Sequence, residues 1–101
     1  LKAFVGTIVA SLYFGDAQTL KDRRSHLRSL EARLSRAGMC TAQIGPADFV
    51  KRAWLAAVCV SGSRSVAEEM VEKAVRILRG PSWEVTRLET ETMEFESSEE
   101  I

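Results

Sequence analysis

The chain has 101 residues, 46% of them hydrophobic and 7% aromatic, which is enough apolar material for one core and too little length for two. Its longest uninterrupted apolar run, Ala53 to Val60, falls far short of the roughly 20 residues that cross a bilayer, and no charged-then-apolar leader opens it, so a cytoplasmic location without a membrane partner is expected. Fourteen basic and fourteen acidic side chains cancel overall, but residues 1–52 carry nine Lys/Arg against four acids and residues 53–101 carry five against ten. Positive charge collects between Lys21 and Arg36 and negative charge between Glu84 and Glu100, so one end of the chain is set to meet anions, or the two halves to meet each other.

Lys2 to Leu12 is β-branched and apolar on both faces, with Phe4, Ile8 and Leu12 on one side and Val5 and Val9 on the other. That is the pattern of a central strand. Thr19-Leu20-Lys21-Asp22 is a helix start of the capping-box kind, with the acid also complementing the positive end of the helix. The helix runs to about Ala37, placing Leu20, Leu27, Leu30, Leu34 and Ala37 on one side, and Gly38 supplies a left-handed stop. Arg23 projects into the middle of that apolar side, a position a charged head tolerates only by snorkelling or by meeting a partner.

Met39 to Ile44 alternates Cys40, Ala42 and Ile44 against Met39, Thr41 and Gln43 as a half-buried strand, broken by Gly45-Pro46. Arg52 to Ser61 is a second doubly apolar strand and pairs with it as a hairpin. Ser65 and Glu68 have capping-box spacing ahead of Val66, Met70, Ala74 and Ile77, and Gly80-Pro81 closes this second helix. Trp83 to about Glu96 is extended, with a slip in alternation that marks a bulge or an exposed edge, and residues 97–101 form a flexible acidic tail. The order is βαββαβ, the split arrangement of the ferredoxin-like α+β fold. A single domain over residues 1–96, with one four-stranded antiparallel sheet and two helices on one of its faces, is the expectation.

Few chemistries survive inspection. Cys40 and Cys59 are too few and too far apart for a disulfide framework, a CxxC motif or a zinc site, and they read as buried thiols. His26 is the sole histidine; it has Ser25 and Ser29 nearby, but no chain neighbour supplies a positioned acid or an oxyanion hole, so it reads as an ordinary surface residue. Gly15-Asp16-Ala17-Gln18 lacks the arginine of a phosphate-cradling loop, and the glycines are too scattered for a nucleotide loop. Glu89, Glu91, Glu94 and Glu96 read as guards of an edge strand rather than as a cation site. The chain is therefore expected to be no enzyme and to need no metal or cofactor.

Thr19-Leu20-Lys21-Asp22-Arg23-Arg24-Ser25 resembles the Ser-Leu-Lys-acid-Lys-Arg signature of the YlxP-like family, bacterial domain of unknown function family 503, with Thr19 and Arg23 as conservative departures. Ala42-Gln43-Ile44-Gly45 followed by Asp48, Arg52 and Ala53 is similar to that family's hairpin, although Val50 stands where the family often has Trp. The resemblance implies a ferredoxin-like fold and a cytoplasmic bacterial protein, often encoded beside translation-initiation and ribosome-maturation factors. It implies no established reaction.

Two binding surfaces follow as candidates. Lys21, Arg24 and Arg28 form one row on the outer side of the first helix, with Arg36 further round and Lys51 and Arg52 joining if the hairpin loop folds nearby. Such cations bind phosphate oxygens and release counterions from RNA, with Arg23 as a positioning residue near the helix start; RNA or the ribosome is the expected partner. The bland alternative is a solvated helix face. Base stacking on strand aromatics is disfavoured, since the third strand offers Ala56, Ala57, Val58 and Cys59 at the place where stacking rings are needed. The second candidate assigns Phe4 and Ile8 to the helix-free face of the sheet, where exposed apolar surface on central strands would be covered by a second subunit, making a homodimeric interaction or scaffold domain.

Overall fold

The computed structural model describes residues 1–99 and shows β1 (Lys2–Tyr13), α1 (Leu20–Arg36), β2 (Cys40–Ile44), β3 (Arg52–Ser61), α2 (Arg64–Leu78) and β4 (Glu84–Glu96). The strands form one antiparallel sheet in the order β2-β3-β1-β4. The two doubly apolar strands are the central pair, as their composition predicts, and both helices pack on one face. The expected ferredoxin-like α+β architecture is what the chain adopts.

Even-numbered residues of β1 and odd-numbered residues of β3 face the helices, so Ile8, Ala10, Leu12, Ala53, Leu55, Ala57 and Cys59 join Phe14, Leu27, Leu30, Leu34, Val71, Ala74 and Leu78 in the core. At Gly6 the sheet has no side chain because α2 leaves no room. A Cβ there would lie 2.5 Å from Val71 Cγ2 and 2.9 Å from Cys59 Sγ.

Several local readings change. α2 is capped by Ser63, whose hydroxyl accepts from the Val66 N–H, while Ser65 only shares a hydrogen bond with that hydroxyl; the helix accordingly buries Ala67 and Val71 and leaves Val66 exposed. In β2 the polar alternation faces α1, where Glu31 accepts from Thr41 and Gln43, and Cys40, Ala42 and Ile44 are exposed on the other face. Cys59 is buried as expected and Cys40 is not. The slip in β4 is a bulge: Ser11 pairs with Arg87 and Leu12 with Val85, leaving Thr86 as the extra residue, its hydroxyl donating to Ser11 O.

Strand directions gather the loops 14–19, 45–51 and 79–83 at one end of the molecule. Ser97 exchanges two hydrogen bonds with Leu1 at the other end, so the sheet ladder runs one residue beyond β4. The last two residues of the expected acidic tail lie outside the described residues.

Candidate nucleic-acid interface

The start of α1 is built by polar side chains with separate duties. Thr19 is the N-cap, its hydroxyl accepting from the Asp22 N–H at 3.1 Å. The Asp22 carboxylate reaches back to the Gln18 and Thr19 N–H groups at 2.9 and 3.2 Å. These donors, led by the Gln18 amide, outweigh desolvation and hold the carboxyl below its ordinary value, with smaller help from the Thr19 amide and hydroxyl and from the charge of His26.

Arg23 then turns inward and is only 3% exposed. Its Nε donates to Arg52 O at 2.9 Å and its Nη2 to Pro46 O at 3.2 Å, so one guanidinium clamps both ends of the β2–β3 loop to the first turn of the helix. Burial pushes this guanidinium below its ordinary value, Asp48 opposing the shift and Arg24 adding to it. Arg23 is thus a bracket: buried, with Nε and Nη2 donating to backbone carbonyls inside the fold, it fits the expected positioning role and is no phosphate ligand. The same correction applies to Lys51, whose Nζ donates to Gly15 O at 2.6 Å and to Ala17 O at 2.9 Å. Together with the Phe14 N–H donating to Lys51 O at 2.7 Å, these contacts tie loop 45–51 to loop 14–19.

Lys21, Arg24, Arg28 and Arg36 are exposed on α1, and none forms an ion pair among the described residues. Spacings of three and four residues stack the first three in a row along the outer side of the helix. Elsewhere several cations have company: Arg33 lies over the Trp83 ring, Arg64 over Phe4 and near Glu68 and Glu94, Lys2 beside Glu94, and Arg87 beside Glu89.

Arg52 sits on the opposite, helix-free face. Its Cζ is 4.9 Å from the Trp54 ring centre and 5.7 Å from that of Phe49, and the two rings meet edge to face at 5.7 Å. Sequence reasoning misses Trp54 and Phe49. Trp54 lies at the start of an apolar run and Phe49 in a loop, and the signal that could join them to Arg52 is the Phe-x-x-Arg-x-Trp spacing, which sets three planar groups together once the hairpin closes.

Phe4 and Ile8 are not on the helix-free face. They are 8% and 1% exposed beneath the helices, because a strand offers its two faces by parity and the even set includes Gly6, where α2 makes its close approach. The open face carries Val5, Val9, Ala56, Val58 and Val60 on the central strands, Ala42 and Ile44 on β2, and Met93 and Phe95 on β4. Val60 and Phe95 are 66% and 71% exposed. Between Thr7, Val9, Cys40, Ala42, Ala56 and Val58 lies a shallow apolar hollow of about 320 Å³.

His26 is better furnished than its chain neighbours indicate. Its Nε2 is 3.0 Å from Asp16 Oδ1, and its ring stacks on Phe14 at 5.0 Å. Asp16, Asp22, Ser25 and His26 line a small polar hollow, and among the described residues no group of three or more His, Cys, Asp or Glu could hold a metal ion.

Comparison with known proteins adds family and little else. Residues 5–92 match the family model described as "Protein of unknown function (DUF503)". No curated protein matches the chain. Two crystal structures of SnoaB, a cofactor-independent oxygenase from Streptomyces nogalater, are similar over 96% of both chains: a mutant form at 12% identity with a TM-score of 0.47, and a second SnoaB structure at 13% with 0.48. A likeness at this level transfers neither that activity nor any site residue to this chain.

Proposed function

The chain belongs to the DUF503 family, and from that premise we propose that it is a binding module rather than an enzyme, contacting the phosphate backbone of RNA through α1. The carrying observation is the row Lys21–Arg24–Arg28, exposed and without ion pairs among the described residues. Opposite charge nearby would neutralise such a row, but the acid-rich strand, β4, is the sheet edge farthest from β2 in strand order. Three cations neutralising three phosphates give a salt slope of about −2 to −3, so affinity for RNA should fall roughly 20- to 40-fold between 50 and 200 mM salt. Changing Lys21, Arg24 and Arg28 together to Glu should abolish binding and remove nuclease-sensitive co-sedimentation with ribosomal subunits. Unchanged RNA affinity of that variant at low salt would remove α1 from the interface.

A second reading rests on a different observation, the apolar open face. An antiparallel sheet with one bare face normally alternates apolar-in and polar-out, whereas here the two central strands place valines and alanine on the bare side. The 40 strand residues, at about 3.3 Å by about 4.8 Å each, give a face of roughly 630 Å², about four fifths of the ~800 Å² per partner of a standard interface. A second copy packed sheet to sheet would cover it and leave both α1 rows outward. Val9→Lys with Val58→Lys should then sediment as a monomer where the wild type is a dimer; a wild-type monomer at high micromolar concentration would end this reading.

A further inference from the structure

We propose that Arg52, Trp54 and Phe49 form a stacking site for an unpaired nucleobase of single-stranded RNA. The inference rests on the phosphate-contact reading of α1 and adds to it the form of the nucleic acid recognised.

Three planar groups meet at one end of the open face, with the Arg52 guanidinium 4.9 Å from the Trp54 ring centre and 5.7 Å from that of Phe49. Phe49 is 45% exposed, Arg52 is exposed, and Trp54 is half-buried beneath them. Aromatic rings and guanidinium planes are the surfaces on which splayed-out bases stack, and such stacking accepts any base. Arg52 has no carboxylate partner among the described residues, so the site is cationic as well as aromatic.

The loop that presents these groups is held with unusual thoroughness for a hairpin connection. Arg23 fastens both of its ends, Lys51 fastens it to loop 14–19, and Gly45, at φ 72°, lies flat against Trp54, where a Cβ would be 3.4 Å from the ring. A rigid loop with an outward phenylalanine loses little entropy when a base settles on it. The Arg23 clamp also fixes the site next to the first turn of α1. Lys21 and Arg24 lie beside Arg23 in that turn, so the loop and the head of the helix row are joined through one side chain.

The test compares three probes carrying the same number of phosphates by fluorescence anisotropy at 50 mM salt: single-stranded oligoadenylate, an abasic oligomer of the same length, and an A-form duplex of half that length. Oligoadenylate should bind wild-type protein about tenfold more tightly than the abasic strand, with the duplex no better than the abasic strand because its bases are already stacked. F49A and R52A should each bring oligoadenylate down toward the abasic value. The exposed position of Phe49 keeps F49A folded, as circular dichroism would verify. Equal affinity for oligoadenylate and abasic strand, both lost in the Lys21/Arg24/Arg28→Glu variant, would overturn the stacking site and leave the helix reading standing. No binding of any probe would overturn both. Loss of self-association in F49A, with RNA affinity unchanged, would assign the cluster to a second copy instead and equally overturn the proposal.

Discussion

Removing the Arg23 guanidinium should unfasten the β2–β3 loop and destabilise the whole domain. In Arg23→Ala two charge-assisted hydrogen bonds to carbonyl oxygens are lost, each worth about 1.5–3 kcal/mol, together with the packing of a long apolar stem in a site only 3% exposed. Against this stands relief of the cation's desolvation, several kcal/mol for a fully buried ion. The orphaned partners are neutral carbonyls rather than an opposite charge, so the net cost is about 2–4 kcal/mol, somewhat less than the ~3–5 kcal/mol of a broken buried ion pair. Arg23→Met keeps the stem and should lose about half as much. Urea unfolding followed by far-UV circular dichroism reads the difference, and the slope should not change because the surface exposed on unfolding is nearly the same. At about 4–8 °C per kcal/mol for a domain of this size, Tm of Arg23→Ala should drop by about 10 °C or more. Amide exchange should accelerate most in residues 45–51. If Arg23→Met proves more stable than wild type, or Arg23→Ala lies within about 0.5 kcal/mol of it, the buried cation is a net burden and the loop does not depend on it.

Gly6→Ala should cost about 1–3 kcal/mol by overpacking, since its methyl would press on Val71 and Cys59 in the core; a neutral result in the same urea assay would show that α2 can shift away freely. Asp22 makes a contribution that depends on pH. Its folded pKa is lowered, so the stability it supplies is present above the unfolded value of about 3.9 and lost as pH falls through the folded value. Asp22→Asn should flatten the acid limb of the stability curve below about pH 4, and an unaltered limb would contradict the assignment. Cys40 is exposed and Cys59 buried, so a thiol reagent should label one equivalent of native protein quickly and the second only on unfolding; two fast equivalents would contradict the packing under α2.

Which parts of this were legible in the sequence follows from how far each signal reaches along the chain. Element order, the central pair of strands, the Thr19 cap, the Gly38 stop and the irregular last strand all rest on spacings within a few residues. The faces of the sheet were harder. β1 is apolar on both sides, so parity alone gives two equal choices, and the deciding fact is the small Gly6 beneath α2. β2 misleads outright because its apolar side faces outward, its polar side being satisfied by Glu31 from a different element. The position of Arg23 on the apolar stripe was readable, but its carbonyl partners lie 23 and 29 residues away. The cluster of Phe49, Arg52 and Trp54 was invisible for the same reason: a loop had to close before an isolated phenylalanine could meet a strand.

The Arg23 clamp makes the first turn of α1 and the β2–β3 loop one mechanical body, and mechanical unity has a thermodynamic corollary. Whatever settles on one of the two partners lowers the residual freedom of the other, and by reciprocity the second occupant must strengthen the first by the same factor. Two weak contacts on either side of the clamp then act cooperatively without any change of shape. Removing the one arginine that touches neither ligand would uncouple them and, by freeing the loop, weaken the contact made there as well.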